Sequence, residues 1–117
     1  MDITIESRDD VTIFRLQGRF IAGRDGPQCR QKVQELIDSG RRKLLFDFSG
    51  VPYIDSTGLG FLAGCRAAAL KGGAGLVLFS LGERVRRVLD EVKLSEHFLI
   101  AEDEASGIAR LGETAGA

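Results

Sequence analysis

The sequence contains one histidine, His97, and two cysteines, Cys29 and Cys65, with neither a CxxC pair nor a Cys/His cluster. Zinc sites built on thiolates and imidazoles are thereby excluded, and nucleophilic catalysis is left short of a base. His97 precedes Phe98 at the start of a predicted strand and reads as a partly buried edge residue. The cysteines fall on the apolar sides of predicted helices, as reduced thiols used as small core residues do. No apolar run approaches the roughly 20 residues that span a bilayer. The start Met1-Asp2-Ile3-Thr4 lacks the basic stretch and apolar run of a secretion signal, so a cytosolic location is expected. An excess of one charge is missing too: 16 basic residues face 17 acidic ones. No global field therefore holds nucleic acid or an anionic membrane, and neither nucleic-acid binding nor direct membrane insertion is expected. Local clusters at Arg41-Arg42-Lys43 and at Arg84, Arg86 and Arg87 read as solvated helix and strand ends.

Several motifs are absent as well. There is no G-x-x-x-x-G-K-[ST] phosphate loop, and Gly72-Gly73-Ala74-Gly75 follows a helix rather than opening one. Ser56 is flanked at two residues' distance by Ile54 and Gly58, which is not the G-x-S-x-G of a nucleophile elbow. Asp47 and Asp55 form no Asp-x-Asp metal pattern. No catalytic residue, metal or cofactor is expected.

The residues that remain describe one domain over 1–117 with an alternating pattern of elements. Residues 3–7 and 11–17 read as strands joined by the turn Arg8-Asp9-Asp10. A loop with three glycines is predicted from Gly18 to Pro27. Cys29, Val33, Leu36 and Ile37 then mark one face of a helix over Pro27 to Ser39, which Gly40 ends. Residues 43–48 are almost continuously apolar, as in a central strand covered on both faces. A helix over 57–71 carries Phe61, Leu62, Cys65, Ala68 and Ala69 on one stripe. Leu76 to Phe79 is a further strand, and Val85, Val88, Leu89 and Val92 form a third helical stripe. A short strand from Phe98 to Ala101 and a closing helix carrying Ala105, Ile108 and Ala109 follow, with fraying over 113–117. The resulting fold class is α/β: a mixed sheet of about five strands, N-terminal hairpin first and then alternating β-α units, covered by about four helices.

The most informative stretch is Asp55-Ser56-Thr57-Gly58-Leu59-Gly60, between an apolar strand and the first turn of a helix. Asp55 or Ser56 is a candidate helix cap, and a hydroxyl there lies among backbone N–H groups without intrahelical partners. An added phosphate would be tolerated by the fold and would change the surface presented to a partner.

Read with the strand Leu44-Leu45-Phe46-Asp47-Phe48 and the connector Ser49 to Ile54, this stretch resembles a STAS domain, more narrowly the bacterial anti-sigma factor antagonists. The resemblance runs across almost the whole chain. It implies a partner-switching protein, not an enzyme, in which Ser56 is phosphorylated by a serine kinase that is also the anti-sigma factor. Thr57 is the alternative acceptor. The unmodified form binds that kinase, the phosphorylated form releases it, and a serine phosphatase resets the cycle; ATP belongs to the kinase. Asp55, Ser56, Thr57, Gly58 and Leu59, with Phe20, Ile21 and Asp25 of the glycine loop, are the implied partner-binding residues. One departure stands out. Ile21 occupies the place where the family often has an aspartate, and Asp25 is the nearest substitute. The alternative is a STAS scaffold or interaction subunit of a signalling or transport assembly, without phosphorylation, in which Phe20 and Ile21 form an apolar contact patch. A weaker third reading, a nucleotide- or lipid-sensing domain, has no motif behind it.

Overall fold

The computed structural model describes residues 2–19, 22–93 and 96–115, with side chains at 22–25 and 113–115 outside that description. The elements follow the expected order: β1 (Asp2–Arg8), β2 (Val11–Gln17), α1 (Ala22–Asp38), β3 (Lys43–Gly50), α2 (Ser56–Lys71), β4 (Gly75–Phe79), α3 (Glu83–Glu91), β5 (Leu99–Ala101) and α4 (Glu104–Ala115). The sheet runs β1-β2-β3-β4-β5. β1 and β2 are an antiparallel hairpin with Arg8 opposite Val11. The pairs β2–β3, β3–β4 and β4–β5 are all parallel.

Side chains alternate across β3 and so build two separate apolar layers. Leu44, Phe46 and Phe48 meet residues of α1, α2 and α3 on one face. Leu45 faces the other way, with Val11, Ile13, Val77 and Phe79, against Leu111 of α4. Three helices thus cover one face and a single helix covers the other. Phe14 and Phe46 stack with ring centroids 4.7 Å apart, tying β2 to β3.

Several expectations are corrected. α1 begins at Ala22, so most of the predicted glycine loop is helix and Pro27 lies inside it. The reason is tertiary. Gly26 is pressed on Phe61 of α2, and a Cβ at Gly26 would fall 2.1 Å from the ring. Gly and Pro read as breakers locally, but the seam between α1 and α2 needs the helix to start early. In α4, Ala105 and Ala109 are exposed while Gly107 and Leu111 are buried, so the helix is rotated from the predicted face. α4 also continues to Ala115, past the expected fraying point at Glu113. Val92 lies just beyond α3 and is exposed. His97 is exposed in the turn before β5 rather than partly buried.

The Arg41-Arg42-Lys43 run is not a solvated end but a clamp between elements. Arg41 donates to Thr12 Oγ1 at 2.8 Å and to the carbonyls of Asp9 and Val11. Arg42 donates to the Ile37 carbonyl at 2.9 Å, and Lys43 pairs with Asp10 at 2.8 Å. These bonds seal the end of α1 and the β1–β2 turn. On the α4 side of the sheet, Arg15 of β2 meets three carboxylates: Glu6 at 3.0 Å, Asp47 at 3.0 Å and Glu104 at 2.7 Å. Arg8 also pairs with Glu104. Burial disfavours charge on Arg15, but these carboxylates outweigh it and hold the guanidinium protonated.

Candidate functional site

The Ser56 turn is set by the end of β3. Gly50 approaches β2 so closely that a Cβ would lie 2.9 Å from the Leu16 carbonyl oxygen. Gly18 N–H donates to the Gly50 carbonyl at 2.9 Å, and Val51 N–H to that of Phe48 at 3.0 Å. Val51 and Ile54 are buried, which pins both ends of the connector while Pro52 and Tyr53 stay outside. The chain therefore reaches α2 on a fixed path.

Asp55, not Ser56, is the helix cap. Its backbone is extended, with φ −93° and ψ 176°, and its Oδ1 accepts from Gly58 N–H at 2.7 Å. The Asp55 carbonyl accepts from Leu59 N–H at 2.9 Å. Ser56 becomes the first helical residue and is exposed. Its hydroxyl has no hydrogen-bond partner among the described residues. The free N–H end of α2 favours negative charge at this position.

Asp55, Ser56 and Thr57 face solvent, whereas Gly58 and Leu59 are buried. Leu59, only 2% exposed, is a core residue in the free chain and offers no contact surface. Asp25 falls in the first turns of α1 rather than in a loop, and its side chain lies outside the described residues. Phe20 and Ile21 lie outside them too.

Asp47 sits beneath the connector on the α4 side, bound to Ser49 N–H at 2.9 Å and to Arg15. Burial pushes its carboxyl up, but the Ser49 N–H and the Arg15 guanidinium outweigh that and hold it below the ordinary aspartate value. It is a structural carboxylate on the far face of the sheet from α2.

Two open clefts flank the Ser56 turn. One, of about 360 Å³, is lined by Arg30, Thr57, Gly60, Phe61 and Gly64 between α1 and α2. The other, of about 440 Å³, is lined by Arg19, Pro52, Tyr53 and Arg84. Arg84 lies over the Tyr53 ring, 5.6 Å from its centroid. Arg86 and Arg87 instead pair within α3, with Asp90 and Glu83. The three arginines grouped together in the sequence thus separate into one facing the site and two serving their own helix. Sequence reasoning missed Arg19, Arg30 and Arg84 at this site. For Arg30 a signal existed: Pro27, Arg30, Gln31 and Gln34 recur at i, i+3, i+4, i+7 beside the apolar stripe, and all line one groove with Phe61.

Comparison with known proteins agrees with this architecture. The STAS domain family model matches residues 2–107. The chain belongs to the STAS domain family. The anti-sigma-B factor antagonist of Listeria monocytogenes is 33% identical over 81 residues, covering 66% of this chain and 71% of that protein. Among solved structures, a Moorella thermoacetica RsbS variant has a TM-score of 0.82 at 18% identity and covers both chains fully. The Bacillus cell fate determinant SpoIIAA in its phosphorylated form has a TM-score of 0.70 at 21% identity, covering 93% of this chain and 98% of that one. These two likenesses establish the STAS fold. Among the described residues, no helix of this STAS domain is long and apolar enough to cross a membrane.

Proposed function

We propose that this STAS protein is an anti-sigma-factor-antagonist-like partner switch whose phospho-acceptor is Ser56. The observation that carries the reading is the Ser56 hydroxyl itself: exposed, first in α2, and free of hydrogen bonds among the described residues. Unmodified, the turn binds a serine kinase that is also an anti-sigma factor; phosphorylated, it lets go; a serine phosphatase restores it. The kinship with the Listeria anti-sigma-B factor antagonist supports this role.

The physics supports it as well. A phosphate adds about −1.5 to −2 charges at neutral pH. In the free protein the N-terminus of α2 stabilises that charge. In a complex covering the turn, the same charge is stripped of water or meets carboxylates. A loss of about 3 kcal/mol of binding lowers affinity more than a hundredfold. Asp55 is committed to the cap, so it orients the turn rather than the hydroxyl. Thr57 is exposed in the Arg30 cleft and is the alternative acceptor.

Intact-mass measurement after incubation with the cognate kinase and ATP tests the reading. One added phosphoryl group is expected, abolished by Ser56→Ala and retained in Thr57→Ala. An unmodified mass under an active kinase would instead support the unphosphorylated scaffold role.

A further inference from the structure

We infer that the surface around Ser56 is a cationic receptor for an acidic segment of the partner protein, built by Arg19, Arg30 and Arg84. The inference rests on the partner-switch reading and names the chemistry that the partner brings to the same turn.

The pairing of the described arginines points there. Arg8 and Arg15 are held by carboxylates, Arg41, Arg42 and Arg110 by backbone or hydroxyl oxygens, and Arg86 and Arg87 by acids of their own helix. Among the described residues, Arg19, Arg30 and Arg84 have no carboxylate within ion-pair distance, and all three are exposed. Arg66, farther along α2, and Lys32, Lys71 and Lys93 also stand without an ion pair among the described residues, but they do not line the clefts beside Ser56. The three exposed cations line the two clefts on either side of the Ser56 turn. Arg19, Arg30 and Arg84 thus set three unpaired cations along the clefts beside this turn.

The rest of the lining fits extended peptide rather than bulk solvent. Tyr53 is 36% exposed with Arg84 over its face. Phe61, half-buried, floors the opposite cleft with Thr57 beside it. Guanidinium groups take carboxylates in paired hydrogen bonds, and exposed aromatic faces supply apolar contact between them. The one described acid in the turn is Asp55, already engaged by Gly58 N–H.

This arrangement also supplies a switch. Among the described residues, three guanidinium charges flank the single Asp55 carboxylate of the unmodified turn. A phosphate of about two negative charges on Ser56 brings that local balance close to zero and competes for the same cations. Acidic partner and phosphate are then mutually exclusive on charge alone.

Titration of the isotopically labelled full chain with hexaglutamate, followed by amide shifts at low salt, tests the inference. Shifts are expected at Arg19, Arg30, Tyr53, Thr57 and Arg84, and high salt should abolish them. Arg30→Glu or Arg84→Glu should weaken binding about threefold each, and the triple reversal about tenfold or more. Arg→Gln variants should fall between these and wild type. Ser56→Asp should bind more weakly than wild type. Absence of shifts, equal shifts with hexalysine, or shifts centred on Arg8, Arg15 and Arg41 would overturn the proposal. Kinase and ATP play no part here, so a failed phosphorylation assay and a failed titration point to different errors.

Discussion

Removing the Asp55 carboxylate should destabilise this domain, while removing the neighbouring Ser56 hydroxyl should not. Asp55 Oδ1 accepts from Gly58 N–H at 2.7 Å, and loss of an N-cap acceptor costs about 1 kcal/mol, within a range of about 0.5–2. With an unfolding entropy of about 2.1 cal/mol/K per residue, the 117-residue chain gains about 0.25 kcal/mol/K on unfolding. Asp55→Ala should therefore lower the thermal midpoint by about 4 °C. Asn caps as well as Asp, so Asp55→Asn should stay within about 1 °C of wild type, that is within about 0.25 kcal/mol. Ser56 makes no hydrogen bond among the described residues, and Ser56→Ala should change stability by less than about 0.5 kcal/mol. Urea titration with parallel thermal melts, read by far-UV circular dichroism, measures all three. Equal destabilisation by Ser56→Ala and Asp55→Ala would show that the hydroxyl is part of the cap. Ser56 would then no longer be free for a kinase, and the switch would lose its physical basis.

Further outcomes follow from the packing and the charges. Gly26→Ala should destabilise by about 1–3 kcal/mol because its methyl group would meet the Phe61 ring, although alanine is the better helix former by about 1 kcal/mol; a urea midpoint above wild type would contradict the observed seam between α1 and α2. Leu111→Ala, on the sheet-facing side of α4 and fully buried, should cost about 2–5 kcal/mol; a change under about 0.5 kcal/mol would mean that α4 does not cover the sheet. Asp47→Asn should cost about 1–3 kcal/mol at neutral pH. The folded Asp47 carboxyl is held below its ordinary value of 3.8, so its contribution is complete above that value and vanishes as pH falls through the folded one. The stability gap between wild type and Asp47→Asn should close on acidification, and a gap constant from pH 7 into the acid range would refute the Arg15–Asp47 pairing.

Several elements were legible because they depend on residues close in the chain. The nearly continuous apolar run at Leu44–Phe48 implied a strand covered on both faces, and Leu44, Leu45 and Phe46 are all fully buried. The strand-connector-helix reading around Asp55 depends on local backbone chemistry, and the cap formed there. Other features were hidden from such reasoning. The face that α4 presents depends on where Leu45 and Phe79 lie across the space between elements. Whether an arginine is clamped or free depends on oxygen acceptors as distant in the chain as the Thr12 hydroxyl is from Arg41.

The sequence by itself determined the order of strands and helices, the α/β class, and the position of a hydroxyl at the mouth of α2. Periodicity, capping and turn chemistry act over a few residues, so a linear reading contains them. Only the tertiary structure decided where α1 starts, that Asp55 rather than Ser56 closes the helix, and which cations face the Ser56 turn uncompensated. Each of those outcomes is a competition between groups brought together by the sheet, and the winner is set by distance in space.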